Sequence, residues 1–208
     1  MHVPRSKEEV VQEYRIASIQ DATMRVIARK GMAAATMQEI AEEAGVAKGT
    51  IYLYFRDRDE LVERTFETAM EKLFVRADEA LDRDVSLEEK LRAVMAAQLE
   101  FFSQNREFFR LYLSLRMPEG TPAQQRRQQR ACHPRYRQRV DKLAAVLKQA
   151  IERGELREIE DTERLALFII EGSTAVILER LTEKTSPAES ADVELLVGLI
   201  LDGIRKRS

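Results

Sequence analysis

The sequence contains little of what most enzymes and exported proteins depend on. Its 208 residues include one cysteine, two histidines and no tryptophan. The single cysteine, Cys132, cannot form an internal disulfide, which is typical of proteins in a reducing cytoplasm. No window of about eighteen uncharged apolar residues is present, and the N-terminus lacks the apolar core of a signal sequence. We therefore expect a soluble, cytoplasmic protein without a membrane partner.

The patterns of catalytic and metal sites are missing too. His2 lies at the N-terminus, and His133 follows Cys132 in an arginine-rich segment. No Ser/His/Asp set, glycine-rich phosphate loop or metal-ligand spacing can be built from them. Nearby arginines can lower the pKa of a thiol such as Cys132, but chance neighbours in a flexible segment are the simpler interpretation. We expect no enzyme activity, no metal and no cofactor.

Glycine and proline are also scarce, at 8 and 5 residues, and no alternating β pattern appears. The chain is rich in Ala, Leu, Glu and Arg, which are good helix formers. Apolar residues recur at helical spacing in segments that begin at helix caps, such as Asp57 with Glu60 and Ser86 with Glu89. The sequence predicts an all-α protein of about nine helices, with a long helix at about 57–82.

One stretch, Met37 to Phe55, predicts two short helices joined by a tight turn. Thr36 and Glu39 form a capping box at the start of the first helix. Ala41 leaves room for a close crossing, Gly45 suits the turn, and Ile51 can pack into the angle between the helices. This is the layout of a helix-turn-helix, whose second helix enters the major groove of DNA.

The same residues carry a family resemblance. GVAKGTIYLYF followed by RDRDEL, residues 45–61, resembles the signature of the tetracycline-repressor (TetR) family. Ala47 replaces the usual Ser or Thr, which removes a helix cap and one phosphate contact, and Arg58 replaces the usual Lys. The resemblance implies a three-helix DNA-binding domain at 1–56 and a helical ligand-binding and dimerisation domain at 57–208.

The charge balance is an objection to DNA binding, since the net charge is −2 and residues 1–60 hold nine basic and ten acidic residues. The acids cluster on the opening helices, however, and 46–56 contains Lys48 and Arg56 but no acid. A small footprint of phosphate contacts on double-stranded operator DNA fits this pattern. The candidate DNA-binding residues are Thr36, Lys48, Gly49, Thr50, Tyr52, Tyr54 and Arg58.

Aromatic and methionine side chains concentrate in the middle of the chain. They are first of all core residues of packed helices, but the TetR resemblance implies a ligand pocket here. An aromatic and thioether lining favours a largely apolar small-molecule effector. The candidate pocket residues are Met95, Phe102, Phe109, Tyr112 and Phe168.

The last two helices are the most apolar part of the chain. The resemblance implies that they pair with their copies in a four-helix bundle, which makes the protein a homodimer. The candidate interface residues are Phe168, Ile169, Gly172, Val176, Val193, Leu196 and Ile200.

An arginine-rich stretch, 124–139, contains six arginines and no acid and is interrupted by Pro134. It follows a predicted loop at 117–122. One interpretation is a solvated, partly disordered stretch that leads into a helix. The other is a binding strip for an anionic partner, such as a phosphate-bearing ligand.

Together these features predict a ligand-responsive transcriptional regulator, a repressor that binds a pseudo-palindromic operator as a dimer and is released by an effector. Two alternatives stay open. A constitutive repressor would have a solid core in place of the pocket. A helical adaptor that binds only protein would leave Lys48, Tyr52 and Tyr54 without a purpose.

Overall fold

The computed structural model describes residues 6–116, 122–182 and 190–205, with side chains described in 6–112, 135–180 and 190–205. These segments are helical, with one isolated β-bridge between Leu156 and Arg205, and they confirm the predicted all-α class. In chain order the helices are α1 Lys7–Lys30, α2 Met37–Ala44, α3 Lys48–Tyr52, α4 Arg58–Asp82, α5 Leu87–Gln104, α6 Arg106–Arg116, α7 Pro122–Glu152, α8 Thr162–Thr182 and α9 Ser190–Ile204.

Side-chain caps set the start of several helices, as their sequences predicted. Thr36 and Glu39 form a capping box at α2, and Ser86 and Glu89 form one at α5. The Glu60 N–H donates to Asp57 Oδ1 at 2.8 Å at the start of α4. These bonds satisfy amide groups that have no partner inside the helix.

The chain divides into two compact units, Met1–Glu71 and Lys72–Ser208, so that α4 contributes to both. The first unit contains α1, α2, α3 and the first half of α4. Its core is built from apolar residues of all four helices: Ile19, Val26, Ile27, Met37, Ile40, Ala41, Ile51, Phe55, Leu61, Val62 and Phe66.

The second unit contains the end of α4 and helices α5 to α9. Its core is rich in large side chains: Leu73, Leu91, Met95, Leu99, Phe102, Phe108, Phe109, Tyr112, Val140, Leu143, Leu147, Ile169, Ile170, Ile177, Val197 and Leu201. Within the described segments, no helix combines the length and the hydropathy needed to cross a bilayer.

The arginine-rich stretch differs from the sequence-based interpretation. Its backbone is not partly disordered but belongs to one helix, α7, which continues through Pro134. A proline inside a helix removes one hydrogen bond and favours a kink, yet surrounding Ala, Gln and Arg residues favour the helix. Pro122 opens α7, where its missing N–H costs nothing. Residues 117–121 of the predicted loop and the side chains of Cys132 and His133 lie outside the described set.

The turn between α2 and α3 depends on Gly45. Its backbone is left-handed, with φ 67° and ψ 32°. The Gly45 N–H donates to Glu42 O at 3.2 Å, and the Val46 N–H donates to Ala41 O at 3.0 Å. These bonds close the C-terminus of α2 and turn the chain into α3.

We expect Gly45→Ala to lower the free energy of unfolding by about 1–2 kcal/mol, because a Cβ disfavours the left-handed backbone. The measurement is urea denaturation followed by circular dichroism. Gly49→Ala is the matched control: neither position has a neighbour that an added Cβ would meet, but Gly49 lies within α3, where alanine is the better helix former. Equal destabilisation by both substitutions would contradict the account of the turn.

Candidate functional site

Helix α3 is held in place by two buried anchors. Ile51 is 0% exposed and Phe55, just after the helix, is 1% exposed. The guanidinium carbon of Arg64 lies 4.8 Å from the centroid of the Phe55 ring, and Arg64 donates to the Tyr54 carbonyl at 3.1 Å. A five-residue helix has little stability of its own, so its packing on α2 and the contacts of Tyr54 and Phe55 with Arg64 of α4 fix its position and direction.

The opposite side of α3 faces solvent. Lys48 and Gly49 are exposed, and Tyr52, one turn after Lys48, is 49% exposed. Residues four apart share a face of a helix, so the ammonium group and the phenol lie on one surface. Thr50 is half-buried beside them. Ala47 makes no side-chain cap at this helix, as the sequence predicted.

Arg58 does not join this exposed group. Its Nε donates to the Ala35 carbonyl at 2.7 Å, and a second guanidinium nitrogen donates to the Met32 carbonyl. The guanidinium therefore holds the connection between α1 and α2 against the start of α4. The direct DNA contact that the sequence predicted for Arg58 would compete with these two hydrogen bonds. No sequence pattern could reveal them, because their acceptors lie more than twenty residues away in the chain.

Thr36 is exposed, but its hydroxyl group takes part in the capping box. The hydroxyl oxygen accepts from the Glu39 N–H at 3.3 Å, and the hydroxyl donates to Glu39 Oε2 at 3.0 Å. Its first role is to start α2. A phosphate contact would have to share this hydroxyl with the cap.

Tyr54 lies on a different surface from Tyr52. It is half-buried and lines an open groove of about 490 Å³ together with residues of α1, among them Lys7, Val11 and Arg15. Lys7 and Arg15 are exposed cations that the sequence-based selection of site residues left out. Their position beside Tyr54 results from the packing of α1 and has no local sequence signal.

Leu53 is a second residue that the sequence-based selection missed. It follows Tyr52 directly and is 76% exposed. An exposed leucine beside polar candidate contacts is noteworthy, because removing its apolar surface from water on binding a partner lowers the free energy.

Ion pairs account for part of the acidic charge of this unit. Glu43 Oε1 lies 2.7 Å from Arg25 and its Oε2 lies 3.1 Å from Arg29, while Glu39 pairs with Lys30. The bonds from Arg25 and Arg29 lower the pKa of the Glu43 carboxyl group, and the bond from Lys30 lowers that of Glu39. These carboxylates of α2 are thus neutralised by α1 and oppose DNA less than the net charge suggests.

The predicted pocket residues in the second unit mostly lie together. Ring centroids of Phe102 and Phe109 are 5.0 Å apart, and Tyr112 lies 5.2 Å from Phe102 and 6.1 Å from Phe109. We call Phe102, Phe109 and Tyr112 the aromatic cluster. Met95 is buried on α5, two turns before Phe102. Phe168, by contrast, is 67% exposed on α8.

The predicted dimer residues divide into two groups. Ile169, Val193 and Ile200 are at most 7% exposed, so their side chains pack mainly within the protomer. Phe168 is exposed, while Gly172, Val176 and Leu196 are half-buried. Among the described side chains of these helices, the exposed large apolar residues are Leu167, Phe168, Leu178, Leu195 and Leu199. Sequence alone shows which residues are apolar but not which face of an almost wholly apolar helix is already covered.

Known proteins share sequence and structural similarity with this chain. Residues 19–65, which span the second half of α1, all of α2 and α3 and the start of α4, match the family described as bacterial regulatory proteins, tetR family. The HTH-type transcriptional regulator YfiR of Bacillus subtilis is 23% identical over 202 residues, which cover 92% of this chain and 95% of YfiR. The fatty acid metabolism regulator protein of the same organism is 36% identical over 76 residues, covering 36% of this chain and 39% of that protein.

A solved structure shares the fold. FadR from Bacillus subtilis, in complex with stearoyl-CoA, superposes with a TM-score of 0.70 at 23% identity and covers 91% of this chain and 99% of its own. The helix-turn-helix geometry, the family match and these likenesses agree with the resemblance in residues 45–61. The chain therefore contains, at residues 19–65, a helix-turn-helix region of the tetR family of bacterial regulatory proteins.

Proposed function

We propose that this protein is a dimeric repressor that binds a pseudo-palindromic operator and is released by a small effector, and that it has no enzyme activity. The observation that carries the proposal is the exposed face of α3. Lys48 and Tyr52 share that face, while Ile51 and Phe55 anchor the helix from behind. A short helix that is held rigidly and presents polar groups outward is suited to the major groove.

The chemistry of the α3 face favours DNA over a protein partner. The Lys48 ammonium is a donor for phosphate oxygens or guanine, and the Tyr52 hydroxyl can donate to phosphate. Leu53 is an apolar side chain that can contact a thymine methyl group. One such helix reads only a few base pairs, so useful specificity requires two copies on a two-fold symmetric site.

We expect Lys48→Ala and Tyr52→Ala each to weaken operator binding by about tenfold to a hundredfold, because a hydrogen bond to a charged group contributes about 1.5–3 kcal/mol. If Lys48 contacts a phosphate, its loss also lowers the slope of log affinity against log salt by about 1. The operator is first selected from random DNA with the wild-type protein. Fluorescence anisotropy then measures each affinity over a series of salt concentrations.

The matched control is Lys148→Ala, which removes an exposed lysine from α7 in the second unit. It changes the net charge equally, so any general electrostatic effect appears there as well. Wild-type affinity in both the Lys48 and Tyr52 variants, with unchanged circular dichroism, would exclude this face of α3 as the reading surface.

The dimer proposal rests on exposed apolar side chains of α8 and α9. The two helices pack together, since a Cβ on Gly172 would lie 3.8 Å from Leu196 and Arg180 pairs with Asp192 at 2.7 Å. Phe168, Leu195 and Leu199 are each more than half exposed on these helices. Large exposed apolar patches mark interaction sites, and a second copy could cover this one in a four-helix arrangement.

We expect Leu195→Glu combined with Leu199→Glu to convert the dimer into a monomer of 24.0 kDa, because buried carboxylates without partners disfavour the interface. Analytical ultracentrifugation at micromolar concentration measures the mass. Val75→Glu is the control, since Val75 is 44% exposed on α4 rather than on α8 or α9. A monomeric wild type that still binds the operator would refute the dimer.

The effector proposal rests on the aromatic cluster and on a conformational link through α4. Phe102, Phe109 and Tyr112 offer the apolar lining that small-molecule sites use, and FadR from Bacillus subtilis was solved with stearoyl-CoA. Helix α4 has 25 residues, about 37 Å at 1.5 Å per residue, and belongs to both units. A ligand that displaces its second half could shift its first half, which holds α3 through Arg64.

We expect some apolar or amphipathic compounds to raise the melting temperature and to weaken operator binding. Each tenfold loss of operator affinity requires about 1.4 kcal/mol of preference for the released state. Differential scanning fluorimetry identifies the compounds, and anisotropy with the selected operator follows for each. Compounds that stabilise the protein but leave operator affinity unchanged would favour the constitutive repressor instead.

A further inference from the structure

Arg139 is an arginine of α7 whose side chain lies inside the protein. It is 5% exposed, whereas Arg135 and Arg137 of the same stretch are exposed. One guanidinium nitrogen donates to Gln98 Oε1 of α5, and the guanidinium carbon lies 5.9 Å from the centroid of the Phe74 ring of α4. Gln98 is in turn 3.5 Å from the Thr174 hydroxyl of α8, to which it donates.

The charge of Arg139 has no counterion among the described side chains. The carboxylates whose charges act on it are those of Asp78 and Glu171. Asp78 lies 3.8 Å from Lys142 Nζ, and Glu171 accepts a hydrogen bond from the Tyr136 hydroxyl at 2.6 Å. Burial lowers the pKa of the Arg139 guanidinium, although an arginine stays charged at neutral pH.

A buried arginine without a counterion is unusual in proteins. Arginine carries five N–H donors, and the described structure gives Arg139 one acceptor. Proteins rarely bury a charge without a partner of opposite sign, because the loss of hydration is costly. An anion bound from outside would supply the missing partner.

The guanidinium also lies next to the aromatic cluster. Gln98 and Phe102 are one helical turn apart on α5 and thus share a face. Tyr112 of the cluster is close enough to raise the pKa of the Arg139 guanidinium. A molecule that reached both would need an anionic head at Arg139 and an apolar body against Phe102 and Phe109.

We propose that Arg139, with Gln98, binds the anionic head group of the effector, which is therefore an amphiphile with a carboxylate or phosphate head and an apolar tail on the aromatic cluster. This inference rests on the proposed effector-binding function and specifies its ligand class. The planar guanidinium suits either head, since it can donate two parallel hydrogen bonds to carboxylate or phosphate oxygens. The contact with Phe74 places the head beside α4, through which the release is proposed to act.

The first experiment compares matched pairs on the full-length wild-type protein without DNA. Octanoate, dodecanoate and hexadecanoate are each compared with the alcohol of the same chain length by isothermal titration calorimetry, and dodecyl phosphate is added as a third head group. We expect at least one anion to bind about tenfold or more tightly than its alcohol. The ratio of the dissociation constants of dodecanoate and dodecyl phosphate then shows which of the two head groups the site prefers.

Three variants locate the head group. Arg139→Met removes the charge at similar volume, and Gln98→Glu supplies Arg139 with an internal carboxylate. Both should reduce the preference for the anion to less than about threefold, and Gln98→Glu should also raise the melting temperature of the free protein. Arg135→Met, one turn away on α7 and exposed, is the matched control and should retain the preference.

Two outcomes would overturn the proposal: no anion binds more tightly than its alcohol in the wild type, or the preference survives in Gln98→Glu. Neither depends on whether Arg139→Met folds. Operator binding is then measured with the tightest anion. An anion that binds through Arg139 but leaves operator affinity unchanged contradicts release by an effector and leaves the assignment of this site intact.

Discussion

The burial of Ile51 and Phe55 is the constraint on which the DNA-binding unit depends. Helix α3 has five residues, too few to be stable alone in water, and it lacks a side-chain cap at Ala47. Its direction is therefore set by tertiary contacts, with Phe55 beneath Arg64 and Arg58 bound to the carbonyls of Met32 and Ala35. Because these residues hold the helix from one side, Lys48 and Tyr52 are exposed on the other.

The core of the second unit, unlike the packing around α3, buries polar side chains beside aromatic ones. A chain of two side-chain hydrogen bonds crosses the apolar core and joins three helices through Arg139, Gln98 and Thr174. Such a network fixes how the helices pack only when its hydrogen bonds are satisfied. The donors of Arg139 that have no acceptor among the described residues are the feature on which the proposed head-group site rests.

Much of the fold was open to prediction because its signals are local. The hydrogen bonds of the capping boxes at Thr36 and Ser86, and those of the turn at the left-handed Gly45, join residues only a few positions apart. The helical segments followed from apolar periodicity, and the motif at 45–61 was sufficient to indicate the family. For the arginine-rich stretch, the expected partial disorder was wrong, because the backbone is helical. Arg135 and Arg137 are exposed, as a solvated stretch requires, whereas Arg139 is buried.

The sequence by itself determined the helices, the turn at Gly45 and the residue types offered to DNA. Only the tertiary structure decided which of those residues are available: Arg58 is held by backbone carbonyls, Ile169, Val193 and Ile200 are buried within the protomer, and Phe168 lies on its surface. The physical reason is that caps and periodicity act over a few residues, whereas burial and ion pairing depend on neighbours far apart in the chain. Gln98 and Arg139 are separated by 41 residues and meet only when α5 packs against α7.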